Sequence, residues 1–258
     1  MNTQASPAAP DNTYIPPQST LAGTLGVWAA AAIPMGLLAW VAAPLLSHQL
    51  TGPEPFARAL ILCLTAGLVW QFVLVMFLVR REQGSLSRAT LRDALWLRAP
   101  RSRKTGKRGG RAWWWLVPFV LLFAAEEGVP SVGLKASHDF ATLAASDAGQ
   151  SFFSGNWTWA GLTLLMMVFN TILGEELLFR GWLLPRMNGV FKKYDGLANG
   201  ALFALYHLHQ PWTMPAALID SFALAYPTKW FRSAWMGIIV HSTQTLLFAG
   251  LLLGLVLK

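Results

Sequence analysis

The chain has 258 residues, 54% of them hydrophobic and only 12% charged, with a formal net charge of +8 and one cysteine. That composition excludes an ordinary soluble domain, and a single Cys63 excludes an intrachain disulfide framework or a cysteine-based metal site. The apolar runs are continuous rather than alternating, which argues against a β-barrel and for one all-α, polytopic transmembrane helical bundle.

Residues 1–20 contain Pro7, Pro10, Pro16 and Pro17 and show no apolar periodicity, so a disordered tail is expected there, with 21–258 forming a single transmembrane domain. No lysine or arginine precedes Arg58, so the basic start of a cleavable signal is missing and 21–46 reads as a retained span, kinked at Pro34 and Pro44. A second span follows at 59–79. Residues 80–111 then carry eleven lysines and arginines against Glu82 and Asp93, with a short interfacial helix around Leu91–Leu97. Squeezed between two spans, this stretch reads as a cytoplasmic loop against anionic lipid, and no nucleic-acid partner is expected.

Trp113, Trp114 and Trp115 open a third span that stays apolar to Ala125, where Glu126-Glu127 interrupts it. Residues 128–156 read as a non-cytoplasmic loop. A fourth span begins at Trp157, a fifth helix is expected over 196–209, a sixth segment over 214–226 ending at Pro227, and the last span over 234–257. About seven spans (six to eight) place the N-terminus and the basic loops 80–111, 186–193 and 229–232 together on the cytoplasmic side of a multi-pass integral membrane protein.

The fourth span ends in Gly174-Glu175-Glu176-Leu177-Leu178-Phe179-Arg180-Gly181, two carboxylates and a guanidinium inside an apolar run. Ionisable groups at membrane depth face the bundle interior and usually carry function. Glu176 and Arg180 are four apart, acid first, the favoured orientation for an ion pair on one helix face. Glu175 points about 100° away and has no basic neighbour at the next turn. Two further stretches place polar chemistry in apolar surroundings: Phe203-Ala204-Leu205-Tyr206-His207, and His241-Ser242-Thr243-Gln244-Thr245. His209 falls on the opposite face from His207 by helical spacing. Glu126-Glu127, lacking an arginine at the matching distance, is expected towards the other face from Glu175 and without a part in the chemistry.

Taken together, Glu-Glu-x-x-x-Arg at 175–180, Phe-x-x-x-His at 203–207 and the downstream His241 resemble the three motifs of the CPBP intramembrane protease family, the type II CAAX prenyl endopeptidases with their bacteriocin-processing and Abi-like members. The likeness covers about 157–245. It implies an intramembrane endopeptidase in which Glu175 and His207 activate water, and His241 with a residue one turn later stabilises the oxyanion, acting on a membrane protein or peptide within the lipid bilayer; the place of Glu175 near the cytoplasmic end of the fourth span puts the expected cleavage near the cytoplasmic face. The family's asparagine position is occupied here by Thr245, with Gln244 beside it. Thr245 offers one short hydroxyl, whereas Gln244 offers two N–H donors on a longer arm, so Gln244 is expected to take the asparagine's part. Glu176 and Arg180 complete the expected site as a structural pair.

No cofactor is expected in this reading. Two alternatives stand beside it. Glu175, His207 and His241 form a two-histidine, one-carboxylate set of the kind that holds Zn in a metal-dependent protease. The same acid–histidine relay also suits a non-catalytic scaffold or a proton-coupled carrier.

Overall fold

The computed structural model describes residues 14–130, 132 and 138–258. Residues 1–13 of the expected tail, together with Ser131 and Lys135, lie outside the described residues. The architecture is helical, with no strand among the described residues. Among the described residues, four helices are long and apolar enough to cross a membrane: α1 (Leu21–Ser47), α2 (Pro55–Gln83), α4 (Trp157–Arg186) and α7 (Ala234–Val256). The shorter apolar helix α3 (Gly110–Ala124) lies between α2 and α4. The segments expected as fifth and sixth spans are short or broken: α5 runs Asp195–Tyr206, and Met214–Ala217 is followed by a wide turn at Ser221–Ala225 and then α6, Tyr226–Phe231.

Local chemistry sets these boundaries. Thr20 caps α1 by accepting from the Gly23 amide at 3.1 Å. Inside α1 the chain passes Pro34 and Pro44 by opening into a π turn at Leu38–Ala42, which accommodates backbone groups that a proline leaves without an α-helical partner. Pro55 starts α2 and Gly84, with φ of 69°, ends it. Pro227 does not end the sixth segment as its sequence suggests. It follows closely on the π turn at Ser221–Ala225, whose wider ladder accommodates the missing N–H, and the real stop is Arg232 in the left-handed region.

Contacts between loops fix which helix ends lie together. Arg186, at the end of α4, forks onto Glu82 at the end of α2 (Nε–Oε2 2.9 Å, Nη2–Oε1 2.7 Å) and donates to the Ala94 carbonyl. Arg101 N donates to Phe231 O at 2.8 Å, and Lys229 pairs with Asp195. Residues 14–20 run extended along the same end, where Tyr14 donates to Glu82 at 2.6 Å and Gln18 bonds Pro185 O and the Gly189 amide. The three basic stretches therefore gather at one end of the bundle. At the other end, Gly155 N meets Val256 O at 3.0 Å beside a small apolar cluster of Phe152, Phe153, Leu252 and Ile61.

The main core runs through α1, α2, α4, α5 and α7. Within it α5 and the 221–225 turn approach closely, since a Cβ on Gly200 would lie 2.4 Å from Ser221 Cα. Small residues let helices meet at this range inside an apolar medium. That contact fixes where the far end of α5, and with it His207, is held.

Candidate active site

In α4 the chain departs from α geometry on both sides of the acidic pair. Phe169–Gly174 and Leu177–Leu183 are π-helical, with Glu175 and Glu176 between them. Wide turns of this kind re-aim side chains and recur at functional positions. Both acids are buried, and Arg180 is fully buried with them.

Glu176 does more than pair with Arg180. Its Oε1 lies 3.4 Å from Arg180 Nη1 and also accepts from His241 Nδ1 at 3.1 Å. Arg180 in turn holds its guanidinium 4.0 Å over the ring of Phe203. Phe203 O accepts from His207 Nδ1 at 2.9 Å. A carbonyl can only accept, so that nitrogen carries the proton, and in the neutral ring His207 Nε2 keeps its lone pair. The second acid and the arginine of α4 thereby set the position of both histidines, one through a carboxylate and one through an aromatic ring.

Glu175 is placed differently. Its Oε2 has no hydrogen-bond partner, and the Tyr206 hydroxyl hydrogen-bonds with its carboxyl group. The Tyr206 hydroxyl accepts from Gln71 Nε2 at 2.6 Å, so its own proton is available to Glu175. Gln71 is fully buried in the middle of α2, far from the acidic motif in sequence.

Glu175, His207, His241, Gln244 and Thr245 all line one cavity of about 390 Å³. Glu176 and Arg180 stand behind that wall. Thr245 donates to Thr171 Oγ1 at 3.1 Å, and Thr171 donates to Met167 O at 3.1 Å, so both hydroxyl protons are already committed. The cavity extends from these residues towards the end away from the basic loops, where Ala57, Asp139, Leu143 and Trp212 line it. The expectation placed cleavage towards the end that carries the basic loops, and the cavity extends away from it.

Two other expectations need correction. His209 is not on an outer face. The helix tightens into a 3₁₀ turn at His207–His209, so the 100° step no longer applies, and the two imidazoles stack at 5.4 Å with His209 also on the cavity wall. Glu126 is not remote either. The α3 helix is short enough for its end to reach the bundle interior, and Glu126 lines the same cavity. Asn170 and the buried Asp220 join them there, neither of them marked by any motif. Their one signal was a pair of polar residues, Asn170-Thr171 and Asp220-Ser221, in an otherwise apolar run.

Among the described residues, no three His, Cys, Asp or Glu side chains are disposed to hold a metal ion.

A helical bundle with membrane-length apolar helices that buries acids and imidazoles around an internal cavity is an integral membrane protein with the makings of a hydrolytic site. Residues 157–247 match the family model described as Type II CAAX prenyl endopeptidase Rce1-like, about a third of the chain and the part that carries all three motifs. This is the family the motifs resemble, and it is a family of intramembrane CAAX-type peptidases. No curated protein and no solved structure matches the chain.

Proposed function

We propose that the protein hydrolyses a peptide bond of a membrane-embedded substrate by activating water between Glu175 and His207. The observation that carries this is the meeting of a carboxylate oxygen without a partner, the proton-free nitrogen of His207 and His241 on the wall of one cavity. Glu175 takes a proton from water, and the hydroxide adds to the carbonyl carbon. Gln244 faces the oxygen on which charge then develops, and Glu176 holds His241 beside it through Nδ1. Collapse breaks the C–N bond, and the proton passes to the leaving amine. Tyr206 keeps Glu175 in place by the hydroxyl that Gln71 orients.

In this reading the chemistry needs no bound metal, and the substrate approaches from the end away from the basic loops. If positive loops mark the cytoplasm, that end is the non-cytoplasmic one. The test compares membrane proteomes of cells with wild-type protein and with Glu175→Gln, which keeps the shape and loses the base. New peptide termini that depend on Glu175 are expected, with the variant folded and inserted, and turnover of any such substrate should survive a chelator. Residual cleavage within tenfold of wild type refutes Glu175 as the base. Cleavage abolished by chelation and restored by Zn selects the metal-dependent reading.

A further inference from the structure

The proposed hydrolysis leaves much of the cavity wall unused. Four carboxyl side chains line it, Glu126, Asp139, Glu175 and Asp220, and no lysine or arginine does among the described residues. Asp220 is the most constrained of the acids without a part in the chemistry. It is 3% exposed, precedes the π turn that packs on α5, and its Oδ1 has no hydrogen-bond partner. The charged groups acting on it are Glu126, Arg180, Glu176 and Glu175, three acids to one base. That base is engaged elsewhere: Arg180 lies against Glu176 and over Phe203, and it is not one of the residues lining the cavity.

A buried carboxyl on a cavity wall with one oxygen lacking a partner is unfavourable, and a cation that reaches it from the cavity removes that cost through a charge-assisted hydrogen bond of about 2.7–2.9 Å. The volume, about 390 Å³, accommodates a long side chain together with a stretch of peptide backbone. We infer that Asp220 receives a cationic group of the peptide substrate, a lysine or arginine side chain or a free amino terminus, so that the cavity selects basic over neutral peptides. This rests on reading the cavity as a peptide site. It adds a specificity that the water-activating residues do not supply.

The test is direct binding to the full-length protein in nanodiscs, with short amide peptides as probes. One is N-acetylated with a central lysine, one is N-acetylated with norleucine at that position, and one carries norleucine and a free amino terminus. A cationic probe is expected to bind about tenfold or more tighter than the acetylated norleucine peptide, the scale of a hydrogen bond to a charged group. The lysine peptide winning assigns the cation to a side chain, and the free-amine peptide winning assigns it to the terminus. Equal binding of all probes to wild-type protein overturns the proposal with no variant needed. Asp220→Asn should abolish the preference and Asp220→Glu should keep it; a preference that survives in folded Asp220→Asn places the cation elsewhere and also overturns it. Binding is read without hydrolysis. Glu175-dependent cleavage with no cationic preference refutes the cation site alone, and the preference without cleavage refutes the peptidase reading alone.

Discussion

Gly237 carries the packing of α7 onto the acidic motif, and replacing it with alanine tests how tightly that motif is held. A Cβ at this position would lie 2.5 Å from Glu176 Oε2, 2.9 Å from Thr228 Oγ1 and 3.1 Å from Arg180 Cγ. Ordinary contact begins near 3.4 Å, so the carboxylate must retreat by about 0.9 Å or α7 must move away. The carboxylate has little room for that, being fully buried and held by Arg180 at 3.4 Å and His241 at 3.1 Å. Overpacking of a well-filled interior costs about 1–3 kcal/mol, and displacing a reacting group by ~1 Å costs on the order of 100-fold in rate. Gly237→Ala is therefore expected to lose stability on that scale in a detergent unfolding titration and to lose about 100-fold in turnover. Adding Glu176→Asp withdraws the carboxylate by one methylene and should recover stability but not turnover, because the bond to His241 lengthens. Wild-type turnover in Gly237→Ala, at unchanged stability, would refute the claim that Glu176 positions His241.

Removing either member of the buried pair should be costly. Glu176→Gln strands the Arg180 guanidinium, and Arg180→Gln strands the carboxylate, each by ~3–5 kcal/mol in the unfolding titration; a loss below ~1 kcal/mol in both means the pair contributes nothing to the fold. Gln244→Ala should slow turnover by roughly 100-fold, the worth of one oxyanion donor, while Thr245→Val should cost much less because its proton is already given to Thr171. The opposite ranking in single-turnover kinetics moves the donor to Thr245. At the basic end, burial first, and then Glu82 as acceptor and neighbouring charge, push the Tyr14 phenol up to about 12. A raised value means that the contact stabilises the folded chain fully below the ordinary tyrosine range, near 10, and that the gain is lost as pH rises through about 12. Alkaline spectrophotometric titration should show a tyrosinate step there that Tyr14→Phe removes; a step near 10 would separate Tyr14 from Glu82.

Much of this was legible in the sequence, for a physical reason. Charged and imidazole side chains in apolar runs are expensive, so their mere presence at Glu175, Glu176, Arg180, His207 and His241 marked the bundle interior. Helical spacing then paired Glu176 with Arg180, and the structure keeps that pair. Spacing failed where the helix stopped being an α-helix. The 3₁₀ turn after Tyr206 brought His209 round to the cavity, and prolines thought to end or merely bend helices were absorbed by π turns. Nothing in the sequence announces such turns, because tertiary packing decides whether the wider ladder is tolerated.

The partners of the site were the less legible part, because they are non-local. Glu176 meets His241 across 65 positions, and Gln71 meets Tyr206 across 135. Gln71 also shows why a search confined to motifs falls short. It sits in α2, outside the 157–247 segment that matches the peptidase family, yet it orients the Tyr206 hydroxyl beside Glu175. A fully buried glutamine in an apolar helix is unfavourable unless its donors are used. Here the amide N–H goes to Tyr206, and the Tyr206 proton is left for the carboxylate. The first half of the chain is thus part of the site's support, since α2 supplies the group that decides which way the Tyr206 hydroxyl points.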